Sequence, residues 1–255
     1  MGGMHLRAAV LATVFAAWPA SAHASQPAAA DAGPIVILAP HPDDETLGCG
    51  GVIATRASEG RRIVVVVVTD GRALLRRFGI DKDPTELEVS AMRKDETRRA
   101  VDILTRGKGE LIFLDVPNEE LVARRDATTP RITALLAELK PAELYVTSPF
   151  EGHPEHVATN QIARAACAAS GACKAVFEFI VTLKRDTDLA AVPRRQVSVD
   201  VSAHRALEQK ALLQFRSHLD VISPKLPKPF EENQYERYLT PREPFLVEDG
   251  RPAVP

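Results

Sequence analysis

Apolar runs of strand length recur along the chain at Ile35 to Leu38, Ile63 to Val68, Leu111 to Val116 and Leu144 to Thr147. The first two lack polar alternation and are rich in β-branched residues, as strands buried on both faces of a parallel sheet are. Helical spacing fills the intervals. Glu45 to about Ser58 is one such segment. Thr85 to Arg106 is a second, with apolar positions at Leu87, Met92, Ala100, Val101 and Leu104 and Gly107 as its C-cap. Pro130 to Leu139, with Pro at its start, and Val157 to Ala169 complete the set.

Arg72 to Pro84 reads as a loop with a short helical piece at Ala73 to Phe78. Further on, Val176 to Thr182 predicts another strand, Gln196 to Val201 an edge strand, and Ala203 to about Leu219 a last helix. The proline-rich tail from Ser223 is irregular and forms part of a pocket rim, with Phe245 to Val247 pairing on a sheet edge. Strand and helix alternate, which predicts an α/β fold: a mainly parallel sheet covered on both faces. The doubly wound order 3-2-1-4-5 sets strands 1 and 4 side by side, with the topological switch point between them. The turn after strand 1 (His41 to Asp44) then faces the turn after strand 4 (Gly152 to His156).

Met1 to Ala24 has the layout of a cleavable secretory signal. Arg7 supplies the positive region, Ala8 to Ala17 the apolar core, and Ala22-His23-Ala24 a small-x-small cleavage site after Ala24. The apolar run is too short for a comfortable transmembrane helix, so no membrane span is expected after cleavage. Residues 25–33 read as a flexible linker, and 34–255 as a single domain. A secreted or periplasmic location follows. In an oxidising compartment Cys167 and Cys173, in CAASGAC, are candidates for a local disulfide, with Ser170 and Gly171 allowing the turn. Cys49, among Gly48, Gly50 and Gly51, reads as a buried packing residue.

The formal net charge is −2, and no basic cluster forms a phosphate-tracking face, so nucleic acid is not an expected partner. The one tryptophan, Trp18, lies in the leader, leaving Tyr145, Tyr235 and Tyr238 beside the phenylalanines. So few aromatic platforms favour a small ligand in a pocket over a long glycan.

The chemistry concentrates in APHPDDETLGCGG, Ala39 to Gly51, and in His153-Pro154-Glu155-His156. Of seven histidines, three fall in these two turns, two in the leader, and His204 and His218 on the final helix. Two imidazoles and one carboxylate leave a zinc coordination position open for water, which suits catalysis better than structure. Zinc lowers the pKa of bound water toward ~7. A neighbouring carboxylate can take its proton and deliver it to a leaving amine, and a second imidazole can stabilise an oxyanion.

Together the two motifs resemble the PIG-L / LmbE-like zinc N-deacetylase family, whose signatures are A-H-P-D-D-E and H-P-D-H. The resemblance extends to Thr69-Asp70-Gly71, to Arg93 and Glu96 on one helix, and to Lys210 and Ser217 on a late helix. It implies a Rossmann-like three-layer fold and removal of an N-acetyl group from an N-acetylglucosamine-type sugar or glycoconjugate. It also implies one Zn2+ per chain, or another divalent metal, held by His41, Asp44 and His156. Asp43 would be the general base and then the acid, and His153 the oxyanion partner. Glu155 departs from the usual Asp; if that acid orients His153, the extra methylene alters the tuning.

Four more residues are candidates for substrate binding. Asp70 and Arg72 meet sugar hydroxyls or a phosphate, or form an ordinary turn. Arg93 lines the site, or pairs with Glu96 on the surface. His218 stands where the family often has Gln. Three rival functions share these residues: an amidase on another glycosyl conjugate, a non-haem iron oxygenase, and a non-catalytic sugar-binding protein.

Overall fold

A computed structural model describes residues 33–80, 82–225 and 232–248, so the leader and most of the linker lie outside the described residues. Among the described residues the strands are β1 (Ile35–Ala39), β2 (Ile63–Thr69), β3 (Glu110–Val116), β4 (Glu143–Thr147), β5 (Ala175–Phe179), β6 (Arg195–Asp200) and β7 (Arg242–Val247). They form one sheet in the order β3-β2-β1-β4-β5-β7-β6. The first five are parallel, with Ile35 level with Ile63 on one side and Glu143 on the other. β7 runs antiparallel between β5 and β6.

The expected 3-2-1-4-5 order is therefore present, with one correction. β7 is not an edge strand. Its Phe245, Leu246 and Val247 are all buried, and a strand with both faces covered belongs inside a sheet. The half-exposed β6 takes the edge, as expected for Gln196 to Val201.

The helices are α1 (Asp44–Ser58), α2 (Glu86–Thr105), α3 (Arg125–Leu139), α4 (Pro154–Ser170), α5 (Arg205–Leu212) and the short α6 (Arg216–Leu219). Period-two alternation along the strands divides the core into two layers. Ile35, Ile37, Val65, Val67 and Tyr145 pack with α1, α2 and α5, and Val36, Leu38, Val64, Val66 and Val146 with α3 and α4. The result is a three-layer α/β fold. At Gly48 of α1 a Cβ would stand 2.2 Å from the Phe179 ring, so only glycine fits there. Cys49 is fully buried in that layer, and Cys167 and Cys173 form the expected disulfide.

Three element boundaries differ from expectation. α3 starts at Arg125, so Pro130 lies inside it rather than at its first position. α4 starts at Pro154, which brings the His-Pro-Glu-His turn onto the helix itself, with His153 as N-cap. The last helix is interrupted at Phe215 (ψ 66), a fully buried residue, and resumes as α6.

Candidate metal centre and active-site cavity

β1 ends in a turn whose backbone is unusual. Asp43 has φ 126 and ψ −30, a conformation that L-residues rarely adopt and that costs about 1–3 kcal/mol. Several contacts brace it. The Asp43 N–H donates to Glu45 Oε2 at 3.1 Å, and its carbonyl accepts from Thr46 and Leu47. Arg93 Nη2 donates to Pro42 O at 2.6 Å and to Asp43 Oδ2 at 3.0 Å. Fully buried Glu45 is pushed up to about 8 by desolvation and the nearby Asp43 carboxylate, so it braces the turn as a neutral acid.

Opposite this turn, Pro154 opens α4 at its first position, where a missing N–H costs nothing. The His153 ring caps the helix by accepting from Glu155 N through Nδ1 at 3.2 Å. His156 sits in the first turn, buried, and Thr147 Oγ1 donates to its carbonyl at 2.8 Å.

The two turns meet. His41 Nδ1 lies 3.0 Å from Asp44 Oδ2 and 3.2 Å from His156 Nε2, and His156 Nε2 lies 3.2 Å from Asp44 Oδ2. Asp44 Oδ2 also accepts from the His41 N–H at 3.0 Å. Three ligand-type atoms so close together are what one small cation requires: around a tetrahedral ion at ~2.0–2.1 Å, neighbouring ligands stand about 3.3–3.4 Å apart.

The electrostatics agree. Burial opposes charge on both rings, yet Asp44 and Glu155 raise His41, while Asp44 and Glu151 raise His156 to about 10. Burial would raise Asp44, but His156 and His41 hold it well below the usual carboxylate range. The surroundings favour positive charge at the point where the three atoms converge.

His153 also has a ring nitrogen within 4.8 Å of ligand nitrogens on His41 and His156, so an all-histidine set is a geometric alternative. The Asp44 set is the tighter one, and the exposed His153 ring spends Nδ1 on its helix cap. Desolvation and the two neighbouring imidazoles push His153 down to about 4, leaving it neutral.

Carboxylates stand behind each imidazole, as they do behind metal-bound histidines generally. His41 Nε2 lies 2.9 Å from Glu155 Oε2. Glu155 thus orients His41, correcting the expectation that it would orient His153. The same carboxylate accepts from Asn118 Nδ2 at 2.6 Å and Leu121 N at 3.0 Å. His41, with the N–H of Leu121, holds it down to about 2 against burial. His156 Nδ1 lies 3.3 Å from Glu151 Oε2 without hydrogen-bond geometry. Glu151 is fixed by the N–H groups of Val181 and Thr182.

Asp43 points beside the triad rather than into it. Its buried carboxyl is raised to about 6, mainly by desolvation, with Arg93 opposing. The three atoms, Asp43 and His153 form the floor of a cavity of about 430 Å³, whose walls include Leu74, Asn118, Thr182, His218 and Tyr238.

Of the four substrate-binding candidates, Arg93 and His218 line this cavity. Arg93 does not pair with Glu96 on the surface, since both residues are buried. Asp70 and Arg72 are not among the lining residues. Arg72 Nε donates to Asp70 at 2.6 Å, and Asp70 also accepts the N–H groups of Arg72 and Asn118, so the pair closes its own turn. The tail reaches the rim as expected, through Arg237 and Tyr238. Sequence reasoning did not pick out Glu151 or Asn118. Asn118 directly follows β3 at its carboxyl end, where ligand-binding loops gather.

The family profile described as "PIG-L: GlcNAc-PI de-N-acetylase" matches residues 36–167, just over half of the chain. Diacetylchitobiose deacetylase of Thermococcus kodakarensis is 29% identical over 129 residues, 49% of this chain and 46% of that protein. The chain spans about half the length of the curated relatives it matches first. Among solved structures, N,N'-diacetylchitobiose deacetylase from Pyrococcus horikoshii superposes with a TM-score of 0.63 at 22% identity, covering 82% of this chain and 76% of that one. The 4-carboxy-2-hydroxymuconate hydratase GalB from Pseudomonas putida KT2440 gives 0.66 at 16% identity, covering 88% and 98%. At such identities the likeness concerns the fold, and the fold carries more than one chemistry.

Proposed function

The chain belongs to the PIG-L (GlcNAc-PI de-N-acetylase) family, and on that premise we propose that it is a metal-dependent hydrolase removing the N-acetyl group from an N-acetylglucosamine-type sugar or glycoconjugate. One observation carries the reading: a tight His41, Asp44 and His156 cluster at the floor of a cavity, with the Asp43 carboxyl beside it and not part of it.

In this reading His41 Nδ1, Asp44 Oδ2 and His156 Nε2 hold one divalent ion, zinc by preference. When bound, the ion supplies Lewis acidity and lowers the pKa of a water in its open position. Asp43 accepts a proton from the attacking water. As the amide C–N bond breaks it returns that proton to the departing nitrogen, so water and amide become acetate and free amine. His153, neutral and facing the cavity, donates a hydrogen bond to the acyl oxygen as negative charge develops there. Glu155 keeps the His41 ring in its tautomer and orientation, and Arg93 anchors the Asp43 carboxylate. The modest volume of the cavity and its mixed polar and apolar lining suit a small sugar.

We also assign the mature chain to the periplasm or the exterior. The leader-like Met1 to Ala24 and the Cys167–Cys173 disulfide support this assignment.

The test is amine and acetate release from N-acetylglucosamine, diacetylchitobiose and inositol-linked N-acetylglucosamine, with zinc-loaded and chelated protein. Equimolar acetate and amine, lost on chelation and restored by zinc, is the expected result. Failure on all three sugars alongside stoichiometric iron and oxygen uptake would overturn the reading in favour of an oxygenase.

A further inference from the structure

Helix α2 reaches Asp43 by two routes. Directly, Arg93 Nη2 donates to Asp43 Oδ2 at 3.0 Å. One turn later Glu96, fully buried, accepts both donors of Ser217: the N–H on Oε1 and the hydroxyl on Oε2, each at 2.6 Å. A two-point grip by a buried carboxylate is a costly feature, and it is spent on a helix of only four residues. The residue after Ser217 is His218, whose buried ring lines the cavity and places Nδ1 3.6 Å from Asp43 Oδ2. That distance is beyond a direct hydrogen bond but brings the ring nitrogen against the carboxylate. The break at Phe215 serves the same end, because a continuous helix would carry residues 217 and 218 onward along the α5 axis.

Resting on the deacetylase reading, we propose that His218 is a positioning residue for the Asp43 carboxylate, held in place by Glu96 through Ser217. Arg93 and His218 both approach Oδ2, which leaves Oδ1 to face the reacting atoms. One helix thereby sets both flanks of the base, and the clamp rather than the fold of α5 determines where the imidazole stands.

Kinetics of the His218→Phe, His218→Asn, Ser217→Ala, Glu96→Ala and Glu96→Ala/His218→Phe variants test the proposal. Phe keeps the ring volume without its nitrogens, and Asn restores a polar atom near Nδ1. His218→Phe is expected to lower kcat about 10–100-fold with KM within about threefold, and His218→Asn to recover most of the loss. Ser217→Ala, which keeps the backbone contact, gives a smaller loss of the same kind.

Because the clamp acts through the imidazole, the double variant should be no slower than His218→Phe alone. Losses that multiply, or an unchanged kcat for His218→Phe in a protein that Asp43→Asn inactivates, would overturn the proposal and leave the deacetylase reading standing. If the wild-type chain releases no amine from any of the three sugars, that reading fails. The contact is then read by the ring 15N resonance of His218 in wild-type and Asp43→Asn protein: a shift supports the positioning claim, and an unmoved resonance overturns it.

Discussion

Two groups of buried acids press against helix α1, one at its first turn and one at its middle. At the first turn Asp44 and, behind the rings, Glu155 and Glu151 face imidazoles, and Asp43 faces a guanidinium. Asp44 is held well below its usual range and Glu155 near 2, so both are ionised, and Asp44 lines the cavity. At the middle, Glu243 accepts the N–H groups of Gly51 and Val52 at 2.6 and 2.8 Å, and both oxygens of buried Glu208 lack a hydrogen-bond partner among the described residues.

Burial, with Glu243 nearby, pushes Glu208 up to about 9, and burial pushes Glu243 up to about 8. Here the acids stay neutral and sealed. Buried carboxyl groups alone therefore do not mark a site. Imidazoles arranged to share their charge with a cation do.

The largest expected effect separates Asp43 from its neighbours. Asp43→Asn should lower kcat by about 10²–10⁴ while the protein retains one equivalent of metal, measured by amine release and elemental analysis. Loss of the metal as well would make Asp43 a ligand and merge the roles assigned to Asp43 and Asp44.

Next in size is the layer behind the proposed metal ligands. Glu155→Ala should weaken zinc binding by about 10–100-fold in a competition titration, since it releases the His41 ring. Glu155→Asp should fall between that variant and wild type. The shorter acid cannot keep contacts to His41, Asn118 and Leu121 at once. An unaltered affinity in both would make Glu155 a helix-packing residue.

The smallest effect belongs to the sealed acids. Glu208 and Glu243 have folded-state pKa values above the ordinary 4.5, so between about 4.5 and 9 the folded chain binds more protons than the unfolded one. Stability from these groups is full below about 4.5 and is lost as pH rises through about 8–9. Glu208→Gln removes the titration and should raise Tm at pH 9 by about 2–8 °C, with little change at pH 5. Equal Tm changes at both values would mean that Glu208 already has a partner for its charge.

Much of the fold was legible because β1 and β2 are continuous apolar runs, which only a doubly covered parallel sheet accommodates. The convergence of His41, Asp44 and His156 followed from placing strands 1 and 4 together. The disulfide was visible in a Cys pair spanning a Ser-Gly turn. What stayed hidden depends on tertiary direction.

Glu155 serves His41 because α4 begins at Pro154, a boundary that fixes which way the residue after the proline points. α3 begins at Arg125, ahead of Pro130, over a stretch from Arg125 to Thr129 that carries no apolar period to betray it. The break at Phe215 precedes Ser217, whose partner Glu96 lies 121 residues away in the sequence.

The most direct test of the central claim is anomalous diffraction at the zinc edge from crystals of the zinc-loaded protein. The account predicts one peak within about 2.0–2.2 Å of His41 Nδ1, Asp44 Oδ2 and His156 Nε2, with Asp43 outside bonding distance. A peak bound by His153 in place of Asp44, or none near these three atoms, would contradict it.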